Sequence, residues 1–163
     1  MPRFHLAAAA LGAATLAALP TAAGPLAPSK PSQLVTARAV SEICPIEGYP
    51  ANTAYQITSM STADGTQVPF VIPPKQVLVV TSVSLVVSGA PANETAQLVL
   101  LGVSGTDGAV LAEGYARTDA GGLATFEQVL PTGIAVRSGV SLCVTGTVGS
   151  TLGAVTGYFT KDK

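Results

Sequence analysis

The run Gln67–Ser88, QVPFVIPPKQVLVVTSVSLVVS, is the longest apolar, β-branched stretch that comes after the first forty residues, and it constrains the fold most. In its second half Val83, Leu85 and Val87 alternate with Ser82, Ser84 and Ser88, the period of two expected of a strand with one buried face. Val86 alone breaks the alternation. Pro73-Pro74-Lys75 divides the run, because proline donates nothing to a ladder and fixes its own φ. The pattern predicts a central strand pair meeting at a sheet corner.

The rest of the chain repeats this grammar. Asp64-Gly65, Asp107-Gly108 and Asp119-Ala120-Gly121-Gly122 are hairpin or turn signals, since Gly and Asp accept the positive φ that tight turns need. Between them lie apolar runs at Thr53–Met60, Ala96–Val103, Ala109–Arg117, Ala124–Leu130, Val140–Val148 and Leu152–Thr160. Pro131-Thr132-Gly133 is expected to end the fourth of these. No window from Ser41 onward carries a 3.6-residue period, and Gly or Pro recurs about every 8–12 residues, the spacing of short antiparallel strands. The expected fold is therefore all-β: a two-sheet antiparallel β-sandwich, a jelly roll or other Greek key, of about eight strands. An immunoglobulin-like sandwich ranks second, because the chain has no Trp and its cysteines are too far apart for that fold's bridge.

Residues 1–23 read as a signal peptide. Arg3 is its positive end, Leu6–Leu19 its apolar core of about 14 residues, and Thr21-Ala22-Ala23 its small-residue cleavage site. That apolar core is shorter than the roughly 20 residues a membrane span requires, so no span is expected after cleavage. Residues 24–40, with Pro25, Pro28 and Pro31, read as a Pro-rich linker, and residues 41–163 as the β-sandwich domain. An exported chain with only Cys44 and Cys143 is expected to join them in a disulfide, which places the domain outside the cytoplasm: secreted, periplasmic or at a cell surface. Cys143 falls on the less apolar side of its alternating strand, which predicts a disulfide lying beside the sheet.

Charge and chemistry narrow the function. Lys and Arg number 8 against 9 Asp and Glu, and loss of Arg3 with the leader leaves 7 against 9, a net of −2. No basic cluster exists to meet phosphate, so a nucleic-acid partner is not expected. Only 10% of the residues are charged, against roughly 25% in an average domain. The single histidine, His5, lies in the leader, so the domain holds none for Ser-His-Asp or Cys-His catalysis or for the usual zinc and copper sites. No phosphate-cradling glycine motif and no cofactor motif is present.

Four sets of residues remain as candidates. Glu113 and Glu127, on neighbouring predicted strands, have the form of a glycosidase carboxylate pair, although two outward-facing charges explain them as well. Asp64, Asp107 and Asp119 could contribute oxygens to calcium if their turns share one end of the domain, although turn formation alone accounts for all three. Tyr115 with Glu113 and Arg117 forms a mixed aromatic and charged stripe, a candidate binding surface; Tyr49, Tyr55 and Tyr158 are the other tyrosines available for recognition. Asn93-Glu94-Thr95 is an N-glycosylation sequon on an expected loop, relevant in a eukaryotic source.

The sequence thus points to a secreted, non-catalytic module with a structural or protein-interaction role, partnered by itself or by an extracellular or envelope protein. A carbohydrate or calcium-dependent adhesion domain is the first alternative, and a carboxylate-dependent glycan-cleaving enzyme the second.

Overall fold

The computed structural model describes residues 33–44, 46 and 54–162; the proposed leader, most of the proposed linker, and Tyr49 with its loop lie outside them. Nine strands run in order: β1 Leu34–Ile43, β2 Ala54–Thr62, β3 Gln67–Pro69, β4 Gln76–Ser88, β5 Thr95–Ser104, β6 Asp107–Arg117, β7 Ala124–Arg137, β8 Ser141–Gly146 and β9 Ser150–Lys161. They form one antiparallel sheet in the order β6-β5-β8-β2-β1-β9-β4-β7, with β3 added beside β2. The fold is all-β, as expected, with one strand more than the turn signals suggest.

The sequence predicts two separately bonded sheets, whereas the ladder is continuous. The β1–β2 hairpin bridges what would be the gap, with register shifts between Arg38 and Ala39 and between Ala39 and Ile43 that let the sheet bend there. The sheet then curls until its two edge strands, β6 and β7, approach without a ladder between them. Their meeting point is Gly114, where a β-carbon would overlap the Phe126 ring.

Alternation sets the core. Leu78, Val80, Val83, Leu85 and Val87 of β4 point inward to meet Leu98 and Leu100 of β5, Leu142 and Val144 of β8, Ile57 of β2 and Val155 of β9. Val86 falls on the opposite, partly exposed face with the serines, so it breaks the composition of the pattern and not its geometry. Burying these side chains contributes roughly 1.5–3 kcal/mol each.

The structure corrects the expected boundaries in three places. The Gln67–Ser88 run does divide at Pro73-Pro74-Lys75 into two strands, but only one is central: β3 is a short strand beside β2, while β4 pairs with β7 and β9, because Pro73-Pro74 and Lys75, at φ 61°, carry the chain across between them. The first strand starts at Leu34, inside the 24–40 range read as linker; Leu34, Thr36 and Arg38 face out while Val35 and Ala37 are buried, a pattern hidden by the preceding prolines. Finally, β7 runs through Pro131 to Arg137. It is an edge strand, so the missing proline N–H breaks no ladder, and the chain bulges between Val129, opposite Ser82, and Ile134, opposite Val80. Gly133, at φ 66°, makes that bulge against Val79, where any side chain would collide with it.

Cys44 and Cys143 are bonded, with Cα atoms 6.0 Å apart. Cys143 lies on the outer side of β8, as its alternation predicts, yet it is fully buried. Cys44, Ala54, Val99, Leu101 and Val103 surround it, and Ile46 packs against the group, forming a second small apolar layer outside the sheet.

Candidate functional site

Successive strands run between two ends of the molecule, and this sorts the candidate residues. The 62–66 turn and the β5–β6 turn lie at one end; the loops after β4, β6 and β8 lie at the other. Asp64 and Asp107 therefore sit at the opposite end from Asp119.

Asp64 and Asp119 act locally. Asp64 Oδ1 accepts from Thr62 Oγ1 at 2.5 Å and from the Thr66 N–H at 3.0 Å, and these bonds hold its carboxyl below the ordinary carboxylate range. Asp119 Oδ1 accepts from the Gly121 and Leu123 N–H groups at 2.8 and 2.9 Å, closing the turn into β7. Asp107 opens β6. Among the described residues no three His, Cys, Asp or Glu side chains come together, so Asp64, Asp107 and Asp119 do not assemble the calcium site considered from sequence. Spacing along a chain carries no information about which end of a strand a turn occupies.

The Glu113–Tyr115–Arg117 stripe does face solvent. On β6, Ala112 and Gly114 are buried while Glu113, Tyr115 and Arg117 are exposed, and Tyr115 is 65% accessible. Tyr115 Oη donates to Glu113 Oε1 at 2.6 Å, and Gln97 Nε2, from the neighbouring strand, donates to the same oxygen at 2.7 Å. Sequence reasoning missed Gln97; its direct cross-strand pairing with Tyr115 is the signal that places it there. Both bonds, Tyr115 first, hold the Glu113 carboxyl below its usual range, and the same carboxylate raises the Tyr115 hydroxyl. Arg117 stands apart, donating through Nε to the Asn93 carbonyl at 3.2 Å.

A glycosidase acid needs the opposite shift from the one Glu113 has. Glu127 belongs to a different surface, the outer side of β7, where it lines a shallow hollow with Ser82, Ser84 and Val129. Tyr158 is 3% exposed against Val77 and Val79, which removes it from recognition, and burial raises its hydroxyl.

Where β6 and β7 fail to pair, an open cavity of about 610 Å³ remains, lined by Gly102, Ala109, Leu111, Val136 and Val140 with Asp107 and Arg137 at its margin. Its size suits a small ligand, but its charged members are turn and surface groups, with Arg137 3.9 Å from Asp162.

No family model matches the chain, and no curated protein matches it. Among solved structures it is similar to the virus-like particle of extra small virus from the giant freshwater prawn, Macrobrachium rosenbergii, at 11% identity over 98% of this chain and 97% of that one, with a TM-score of 0.40.

Proposed function

We propose that this protein is a non-catalytic structural module of the extracytoplasmic space that assembles with copies of itself. One observation carries the reading: large apolar side chains stand exposed on the outer strand faces, Val129 at 75% and Leu152 at 48%, in a chain with few charges to keep such faces apart. Exposed apolar surface of this kind marks interaction sites. The buried disulfide supports an oxidising compartment.

A jelly-roll description of the fold belongs to the same proposal. With β3 set aside, the order divides at the β1–β2 hairpin into β6-β5-β8-β2 and β1-β9-β4-β7. Every connection except β5–β6 passes from one half to the other, the winding of a two-sheet jelly roll.

Light scattering on the exported, disulfide-bonded chain across a concentration series tests the function. The expected result is a defined multiple of the chain mass, unchanged by calcium or a chelator. A monomer at every concentration overturns it. A second reading, carbohydrate adhesion, rests on the exposed Tyr115–Glu113–Gln97 group, an aromatic ring beside an amide and a carboxylate. Retention on a glycan array that Tyr115→Ala abolishes would favour it.

A further inference from the structure

The outer face of β1, β9, β4 and β7 falls into rows set by the cross-strand register. One row reads Arg38, Ala154, Ser84, Glu127; the row on one side reads Thr36, Thr156, Ser82, Val129, and the row on the other includes Leu152, Val86 and Thr125. In these three rows Arg38 and Glu127 are the only charges. They are opposite in sign, share one row, and occupy its two ends. Neither makes an ion pair among the described residues.

From this arrangement we infer that the face binds a second copy of the same chain about a twofold axis running along the strands, between β9 and β4. The inference rests on the self-assembly proposed above and assigns its surface. Rotation about that axis keeps each row opposite itself and exchanges its ends. Arg38 of each copy then meets Glu127 of the other, Ala154 meets Ser84, and Leu152 meets Val86. A twofold interface must be self-complementary in this way.

The relief of the face agrees. Small residues at 154 and 84 leave one hollow beside Arg38, Val86 and Leu152 and another beside Glu127, Val129 and Ser82, with Ser84 shared by both. Rotation brings each long charged side chain over the hollow that holds its counter-charge. Packed sheets lie about 10 Å apart, a gap that Arg and Glu side chains together can bridge.

Sedimentation equilibrium on the exported, disulfide-bonded wild type and on Arg38→Glu, Glu127→Arg and the double exchange tests the interface. Both side chains are exposed, so folding should survive, and circular dichroism checks it. Each single reversal sets two like-charge contacts in the dimer and should weaken association about tenfold or more, whereas the double exchange restores it. Leu152→Asp should abolish association. Association indifferent to the reversals and to Leu152→Asp overturns this interface and leaves self-assembly standing. A wild type that stays monomeric overturns both.

Discussion

At the scale of single residues, Glu113 and Asp64 each accept hydrogen bonds from a side chain two positions away in the chain. Glu113 is held ionised by Tyr115 and Gln97, so Glu113→Gln should let the Tyr115 hydroxyl titrate closer to its ordinary value of 10.0, lower than in the wild type. Ultraviolet titration of tyrosinate reads this directly, and an unchanged curve would show that the bond does not persist in solution. Asp64 has a lowered pKa, so its turn adds stability above the ordinary value of 3.8 and loses it as pH falls through the lower folded value. Asp64→Asn should therefore melt earlier than wild type at neutral pH, and the difference should shrink as pH falls below 3.8. Tyr158 presents the reverse case. Its buried hydroxyl has no hydrogen-bond partner among the described residues, so Tyr158→Phe removes an uncompensated polar group and should leave stability unchanged or raise it by up to about 1 kcal/mol. A loss of more than that in a denaturant melt would reveal a partner for the hydroxyl.

At the scale of elements, the edges of the sheet are its least redundant parts. Gly114→Ala would press a methyl group into the Phe126 ring and part β6 from β7, costing about 1–3 kcal/mol in chemical denaturation. An alanine substitution at a solvent-facing strand position, such as Thr125→Ala, should cost less. The disulfide spans a sequence separation of 99 and ties the segment after β1 to β8. Replacing both cysteines with alanine should destabilise the fold by roughly 4–5 kcal/mol in the loop-entropy account. What could be read from sequence obeys the same division. The alternation in β4 and β8 announced the inner face correctly, and the turn signals at Asp64 and Asp119 marked real turns, while the turn between β5 and β6 falls on Gly105-Thr106, just ahead of Asp107-Gly108, because alternation and turns both depend on local geometry. Pro131 and Leu34 misled because their meaning depends on neighbours distant in the chain. A proline is harmless only on an edge strand, and an apolar alternation after three prolines becomes a strand only when β9 lies beside it. The row joining Arg38 to Glu127 spans four strands and 89 positions of sequence, so register alone discloses it.

At the scale of the whole molecule, Asp64 and Asp119 close turns, Glu113 takes part in a cross-strand bond, and the strand faces leave two kinds of outer surface. One carries Tyr115, Glu113 and Gln97 on β6 and β5; the other carries Leu152, Val86 and Val129 on β9, β4 and β7. A binding module would work through the first and a self-assembling structural module through the second, so the two readings differ in which surface becomes covered. Hydroxyl-radical footprinting of the disulfide-bonded chain, from dilute to concentrated solution, reports both surfaces in one experiment. Self-assembly through the second surface predicts that labelling of Leu152, Val86 and Val129 falls with concentration while Tyr115 stays fully reactive. Constant labelling of Leu152 and Val129, or protection that appears at Tyr115 instead, would contradict it.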